Sequence, residues 1–575
     1  MGAYNRKEFL NELLTDPRKE KSNYDINKDE IFLKYSNKSL PLKVKKTRAG
    51  LSQYTGAWGE KQQIHLLRRL MFGCKPSDLA TISAMTMSQA VDQLINTVPP
   101  VPAAPVNYYE SLYPDPTGVL LNASWVNAAY GDGTVNYYRE LSFRASWMKN
   151  ILNQSLSITE KMILFWHNCF VTESNVVGDS RLLYKYFNLL RTHALGNFKV
   201  FVKEITKDPM MLFYLNGHYN VKNSPDENYA RELQELFTLG KGANMWTEDD
   251  VKEVAKVLTG FRANTTTLTT AFDPTRHETI NKTFSAFYNN TVINGQTGPA
   301  GENELDDLLN MIFAKDQIVA KHLCRKIYRF FIYYDIDTNI ESTIISGMAQ
   351  TLIANNWDIK PVLLQLFKSD HFYDPLTMDC LIRTPMDFYL GTARTFDVQI
   401  SPLMDIVDYH KAHYAFASVC EQNGMTPGSP PSVSGWPAYY QTPQFHQMWI
   451  NSDTLPKRMK TTDTLLSNGG YWISANFQIK YDVLAFVGSL NTPADPDAVV
   501  NQCVKYFLAL TLSQTLKDDY KSILLGPGQT NNIYWTNAWN DYINNPGNTT
   551  FAGIVRTRLR DMLTKLLRMS EHYLS

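Results

Sequence analysis

Apolar residues return at three- and four-residue spacing in segment after segment of this 575-residue chain, and that period points to helices rather than sheets. In Trp58–Gly73 it is kept by Ile64, Leu67, Leu70 and Met71, and Gly73 ends the run. In Asp226–Gly240 it is kept by Tyr229, Leu233, Leu236 and Phe237. The same reading expects helices over Asp78–Met85, Met87–Ile95, Tyr137–Leu152, Thr159–Val171, Leu182–Leu195 and Phe198–Asp208. Further on it expects them over Glu304–Phe313, Gln317–Tyr333, Asn339–Asn355, Ile359–Lys368, Pro385–Thr395, Trp449–Leu466, Val499–Leu512 and Ile554–His572.

The interruptions are as informative as the helices. Pro99–Pro116 is proline-rich and reads as a surface crossing. Arg262–Gly298 is rich in threonine and asparagine, with local alternation, and reads as a long loop carrying a β-hairpin. Residues 425–443 set Val433-Ser434-Gly435-Trp436 among prolines and form a second irregular wall. The expected fold is mainly α: a large multi-helix, bundle-like domain with long irregular loops and a small β-hairpin. Residues 1–55 are polar and lysine-rich, with one short helix at Phe9–Leu14, and read as an arm. Residues 56–575 read as a single large helical domain, with a subdivision near residue 300 as the alternative.

Charge and cysteine usage exclude several functions. The 56 basic residues balance the 56 acidic ones, so there is no nucleic-acid footprint. Cys74, Cys169, Cys324, Cys380, Cys420 and Cys503 have neither zinc spacing nor a disulfide framework, and free thiols are expected. No run of apolar residues is long enough for a membrane span, so no membrane insertion is expected. The start shows no charged stretch followed by an apolar core. A cytoplasmic location follows, with export alongside a partner as the alternative.

Chemistry concentrates on Asp226–Gly260. Asn228, Arg231, Glu232 and Glu235 flank the apolar stripe of the first helix, and residues three and four apart share a face. Gly240 and Gly242 end that helix, and Thr247 with Asp250 caps the next. His167 and Asn168 are polar residues in an otherwise apolar helix, and His277 and Lys282 lie in the loop after the central stretch. His167, Glu232, Glu235 and His277 are thus the candidate catalytic residues. Asn168, Asn228, Arg231, Lys282 and Trp436 are the candidate substrate contacts. Two carboxylates and two imidazoles can hold a divalent metal or divide into acid and base, and the spacing does not choose between these. The same groups also suit an internally paired core, with Arg231 on a glutamate and His167 on a carbonyl. A Cys169–His167 pair is disfavoured, because residues two apart on a helix diverge by about 200°. There is no phosphate-binding glycine loop after a strand and no Gly-x-Ser-x-Gly elbow.

Several motifs resemble one bacterial family, catalogued as domain of unknown function 1800. They are Ile64–Gly73, Phe165-Trp166-His167-Asn168, Glu227–Gly240, Leu258-Thr259-Gly260, Pro430–Pro437 and Trp449-Ile450-Asn451. The resemblance runs from about residue 55 to the end. It implies no assigned activity; members often look exported, and their genes often lie beside a sulfatase-like partner family. This chain departs from the family pattern at Cys169, where a second histidine is common, and at His277-Glu278, where His-Asp is common. The functional expectation is an acid/base or metal-assisted, hydrolase-like enzyme acting on a polymer or glycan-type substrate. The alternative is a binding or scaffold protein that partners a sulfatase-like protein.

Overall fold

A computed structural model of the chain describes residues 47–436, 449–508 and 511–575. The Phe9–Leu14 helix, most of the 1–55 arm and the 437–448 part of the second wall lie outside the described residues. The fold is mainly α, as the period predicts.

The first helix used below, α1 (Glu60–Leu70), buries everything from Gln63 to Leu70, two arginines included. α2 (Gly133–Leu152) starts where the Asp132 carboxylate accepts from the Thr134 and Val135 amides. α3 (Thr159–Cys169) is buried along its whole length, and α4 (Ser180–Thr192) packs on both α2 and α3. α5 (Phe198–Thr206) is capped by Asn197, and α6 (Pro209–Tyr214) by Asp208. α7 (Asn228–Glu232) runs into a π-helical turn, Leu233–Thr238. α8 (Glu248–Val257) opens on the expected reciprocal cap of Thr247 and Asp250.

The Arg262–Gly298 region holds two antiparallel hairpins where one was expected. β1 (Phe261–Asn264) pairs with β2 (Thr269–Phe272), and β3 (Lys282–Thr283) pairs with β4 (Val292–Ile293). α9 (Glu304–Phe313) and α10 (Asp316–Phe331) follow. The expected Asn339–Asn355 helix is broken by a second π turn at Glu341–Ile345 before α11 (Ser346–Ala354). α12 (Pro385–Thr395) leads to α13 (Ile406–Gln422), which lies along α2. The sequence reading does not anticipate α13, because His410, Lys411, His413 and Tyr414 break up its apolar period. α14 begins only at Thr454 (Thr454–Leu466), since the Asn451 carboxamide takes the Asp453 and Thr454 amides into a turn. α15 (Pro496–Phe507) ends before the expected Leu512, because Leu508 is extended.

Arg48–Ser575 forms one compact unit. Its core runs continuously from Ile64 to Tyr573. At Gly73 (φ +74°) the backbone presses on another glycine: a Cβ there would stand 2.2 Å from the Gly391 carbonyl oxygen. Only glycine at position 73 lets α1 and α12 approach so closely. Among the described residues no helix is long and apolar enough to cross a membrane.

Candidate functional site

The π turn is the structural novelty of the central stretch. Thr238 donates its hydroxyl to the Leu233 carbonyl, and the Leu239 and Gly240 amides both converge on the Gln234 carbonyl. Buried Gln234 locks the turn from inside, donating to the Ala230 carbonyl (3.1 Å) and accepting from the Tyr288 hydroxyl (2.6 Å). A turn widened in this way leaves carbonyls available for partners other than helical amides. Leu236 offers its carbonyl to two side chains of α10, His322 Nε2 at 2.9 Å and Lys326 Nζ at 2.7 Å. Gly240 closes the turn at φ +83°, as expected, and a Cβ there would strike His322.

The polar flank of α7 does not face the interior. Asn228 is exposed. Arg231 holds Glu248 in a forked pair at 2.9 and 2.6 Å and reaches Glu227 at 3.3 Å. Glu235 pairs loosely with Lys241, 3.5 Å away. Glu232 is different: half-buried, it forms no hydrogen bond or ion pair through its carboxylate among the described residues. Burial raises its carboxyl above the ordinary range, and the Glu235 charge adds to this against the opposing pull of Arg231, Lys241 and Lys326. Burial lowers the Lys326 ammonium, with Cys169 and Glu232 opposing that shift. Both shifts disfavour the charged form, the carboxylate of Glu232 and the ammonium of Lys326.

The other candidates occupy two further places. His167 is fully buried on α3, 3.1 Å from the Tyr186 hydroxyl, which itself donates to the Phe170 carbonyl. Nδ1 is therefore the donor, and Nε2 has no partner among the described residues. Burial lowers this imidazole to about 3, so it is neutral. Asn168 accepts the Trp436 amide at 2.9 Å, and the Trp436 ring packs edge-on to His167 at 5.5 Å. Trp436, one of the candidate substrate contacts, is fully buried, with 0% exposure.

His277 and Lys282 converge on Glu304 instead of the central glutamates. His277 Nε2 lies 3.0 Å from Glu304 Oε1, and Lys282 Nζ lies 2.5 Å from Oε2. The Gln296 amide also donates to Glu304, at 2.7 Å. Burial pushes the Glu304 carboxyl up, but these three donors outweigh it and hold it below the usual range. Gly260 and Gly301 make room for the His277 ring; a Cβ at Gly301 would stand 2.6 Å from it.

Among the described residues the candidate metal ligands His167, Glu232, Glu235 and His277 thus share no hydrogen-bond or ion-pair partner. Among the described residues no group of three or more His, Cys, Asp or Glu side chains could hold a metal ion. Sequence reasoning missed Lys326, His322 and Glu304. The first two stand four apart on α10, a spacing that signals a shared face but not its target. Glu304 looks like an ordinary first-turn acid of α9.

The architecture defines a helical protein with small hairpin insertions, built around a central α-to-π helix. The family described as "Protein of unknown function (DUF1800)" matches residues 65–572, and the chain belongs to it. No curated protein and no solved structure matches the chain.

Proposed function

We propose that the chain is an acid/base enzyme of hydrolase type, with Glu232 as the proton-transferring group. The observation carrying this reading is a half-buried carboxyl, raised by its surroundings and unengaged by the described residues. A structural carboxylate at such depth is normally paired. Glu235 supplies the like charge that raises Glu232, and Lys326 supplies a neighbouring amine. A polymer or glycan-type chain is the substrate class retained, because paired carboxylates suit glycosidic cleavage. Trp436 gives that choice no support, and the metal-assisted variant lacks a ligand set among the described residues.

Carbodiimide reacts with protonated carboxyls, so labelling followed by peptide mass spectrometry tests Glu232 without a known substrate. Glu232 should label at a higher pH than Glu248, which its pairing with Arg231 holds below the usual range. Glu232→Gln should abolish turnover of whichever chromogenic glycoside or ester the native protein cleaves. Labelling of Glu232 in step with Glu248 would sink the assignment.

Internal pairing of His167, Asn168, His277 and Lys282 favours a second reading, a binding or scaffold protein for a sulfatase-like partner. A gentle-salt pull-down that recovers such a partner equally with native protein and Glu232→Gln would support it.

A further inference from the structure

A cavity opens between α2 and α13, and the proline-rich crossing and the segment before α13 complete its wall. About 960 Å³ of empty space lies within it, part of it open to solvent. Glu232 does not line it. Its polar side carries Lys149 and Asn150 of α2 with His410 and His413 of α13, and Pro402 and Met404 belong to its apolar wall. Apolar walls with a few placed polar groups are the usual make-up of a small-molecule site.

The polar groups are of two complementary kinds. His410 and His413 stand three apart on one face of α13. Each points Nδ1 at a backbone carbonyl one turn back, Ile406 at 3.0 Å and Tyr409 at 2.8 Å. A carbonyl only accepts, so the proton sits on Nδ1 and Nε2 carries a lone pair. Burial lowers the His413 imidazole to about 4 and lowers His410 as well, so both rings are neutral at pH 7. Tyr108 stacks on His410 at 4.8 Å and Tyr409 packs edge-on to His413 at 4.6 Å, which fixes both rings. Neither Nε2 has a hydrogen-bond partner among the described residues. The local Nδ1 bonds satisfy the helix and leave two acceptors to the cavity.

Lys149 is of the opposite kind. Its half-buried ammonium rests over the Tyr409 ring, 5.4 Å from the centroid, and forms no ion pair or hydrogen bond among the described residues. Among those residues no Asp or Glu lines the cavity, nor does the C-terminal carboxylate. A carboxylate set against Lys149 gains a charge-assisted bond, and a hydroxyl donates to an Nε2. Two imidazoles beside an ammonium, with no carboxylate on the wall, do not make a metal centre.

We propose that this cavity binds a small hydroxylated organic acid, its carboxylate on Lys149 and its hydroxyls on Nε2 of His410 and His413. The skeleton that packs on Pro402 and Met404 is that of a sugar acid or of an aromatic acid; the recognition chemistry is the same.

Calorimetric titration of the full chain with glucuronate and with para-hydroxybenzoate tests this and separates the two skeletons. The expected result is saturable binding of at least one acid at millimolar concentration or below. Lys149→Met keeps the aliphatic stem and should weaken that acid by at least about tenfold, the loss of one charge-assisted hydrogen bond. Lys252→Met, an exposed control elsewhere, should leave it unchanged. The methyl ester of the bound acid keeps the hydroxyls and loses the charge, so native protein and Lys149→Met should bind it alike. His413→Phe keeps a ring and loses the acceptor, and should weaken acid and ester together. Should that variant fail to fold, cyclohexanecarboxylate or benzoate, the bound acid stripped of its hydroxyls, should bind native protein more weakly than the parent. Saturable binding of neither acid overturns the proposal. An affinity unchanged by Lys149→Met, or by removal of the hydroxyls, overturns it equally.

Discussion

Asp208 shows how one residue sets a pH dependence. It caps α6, accepting from the Met211 amide at 3.0 Å, and burial pushes its carboxyl up to about 7 against the pull of that hydrogen bond. A raised carboxyl in the folded state means that folding takes up protons relative to the unfolded chain. Stability therefore falls as pH climbs from about 3.8 to about 7 and is level beyond. Asp208→Asn keeps the cap, since asparagine serves there as well as aspartate. Urea midpoints of the variant should lose this decline and lie above those of native protein at pH 8, by up to a few kcal/mol in stability. Equal midpoints at pH 8 would refute the burial argument. Glu232 obeys the same sign, so Glu232→Gln should not lower the melting temperature at pH 7, whatever it does to activity. Glu232 was legible in the sequence because a charge beside an apolar stripe is visible in the period. The partners of His277 and Lys282 were not, because nothing in a linear pattern ties a loop histidine to the first turn of α9.

At the scale of elements, the π turn is the feature no period could reveal. Its residues have ordinary helix-forming character, and Gln234 and Thr238 become decisive only once Tyr288 and the Leu233 carbonyl are in place. The α7–α8 unit was otherwise readable from its caps, Gly240 and the Thr247–Asp250 pair. His322 ties α10 to this turn. Burial, with the Lys326 charge, lowers its imidazole to about 3, so the folded state refuses a proton that the unfolded chain accepts below about 6.5. The resulting stability is present above that pH and is lost as pH falls toward 3. His322→Gln should flatten this acid limb and, at pH 7, cost about 1–3 kcal/mol if the amide cannot reach the Leu236 carbonyl. A variant with native acid sensitivity would place the titration elsewhere.

For the whole molecule, the helical class was legible because the period survives in most segments. The hairpin insertion was legible as an interruption of it. What could not be read was how the insertion is fastened, through the buried meeting of Lys282, His277 and Glu304. Glu304→Gln leaves both donors facing a neutral amide. Breaking a buried pair in this way costs about 3–5 kcal/mol. Limited proteolysis should then cut within residues 262–298 much faster than in native protein, and an unchanged cleavage rate would show the insertion is held by other means.

The embrace between α1 and distant parts of the chain also bears on how the protein is made. Arg68 finishes its hydrogen bonds on Lys505 and Tyr506, and Gly73 seats on Gly391. A polypeptide leaving the ribosome presents α1 hundreds of residues before those acceptors exist. Its apolar face and its arginines must wait, neither buried nor matched, through most of translation. Contacts so far apart in sequence slow folding and lengthen the life of sticky intermediates. Slow recovery from denaturant, read as a refolding rate, is the outcome this geometry predicts.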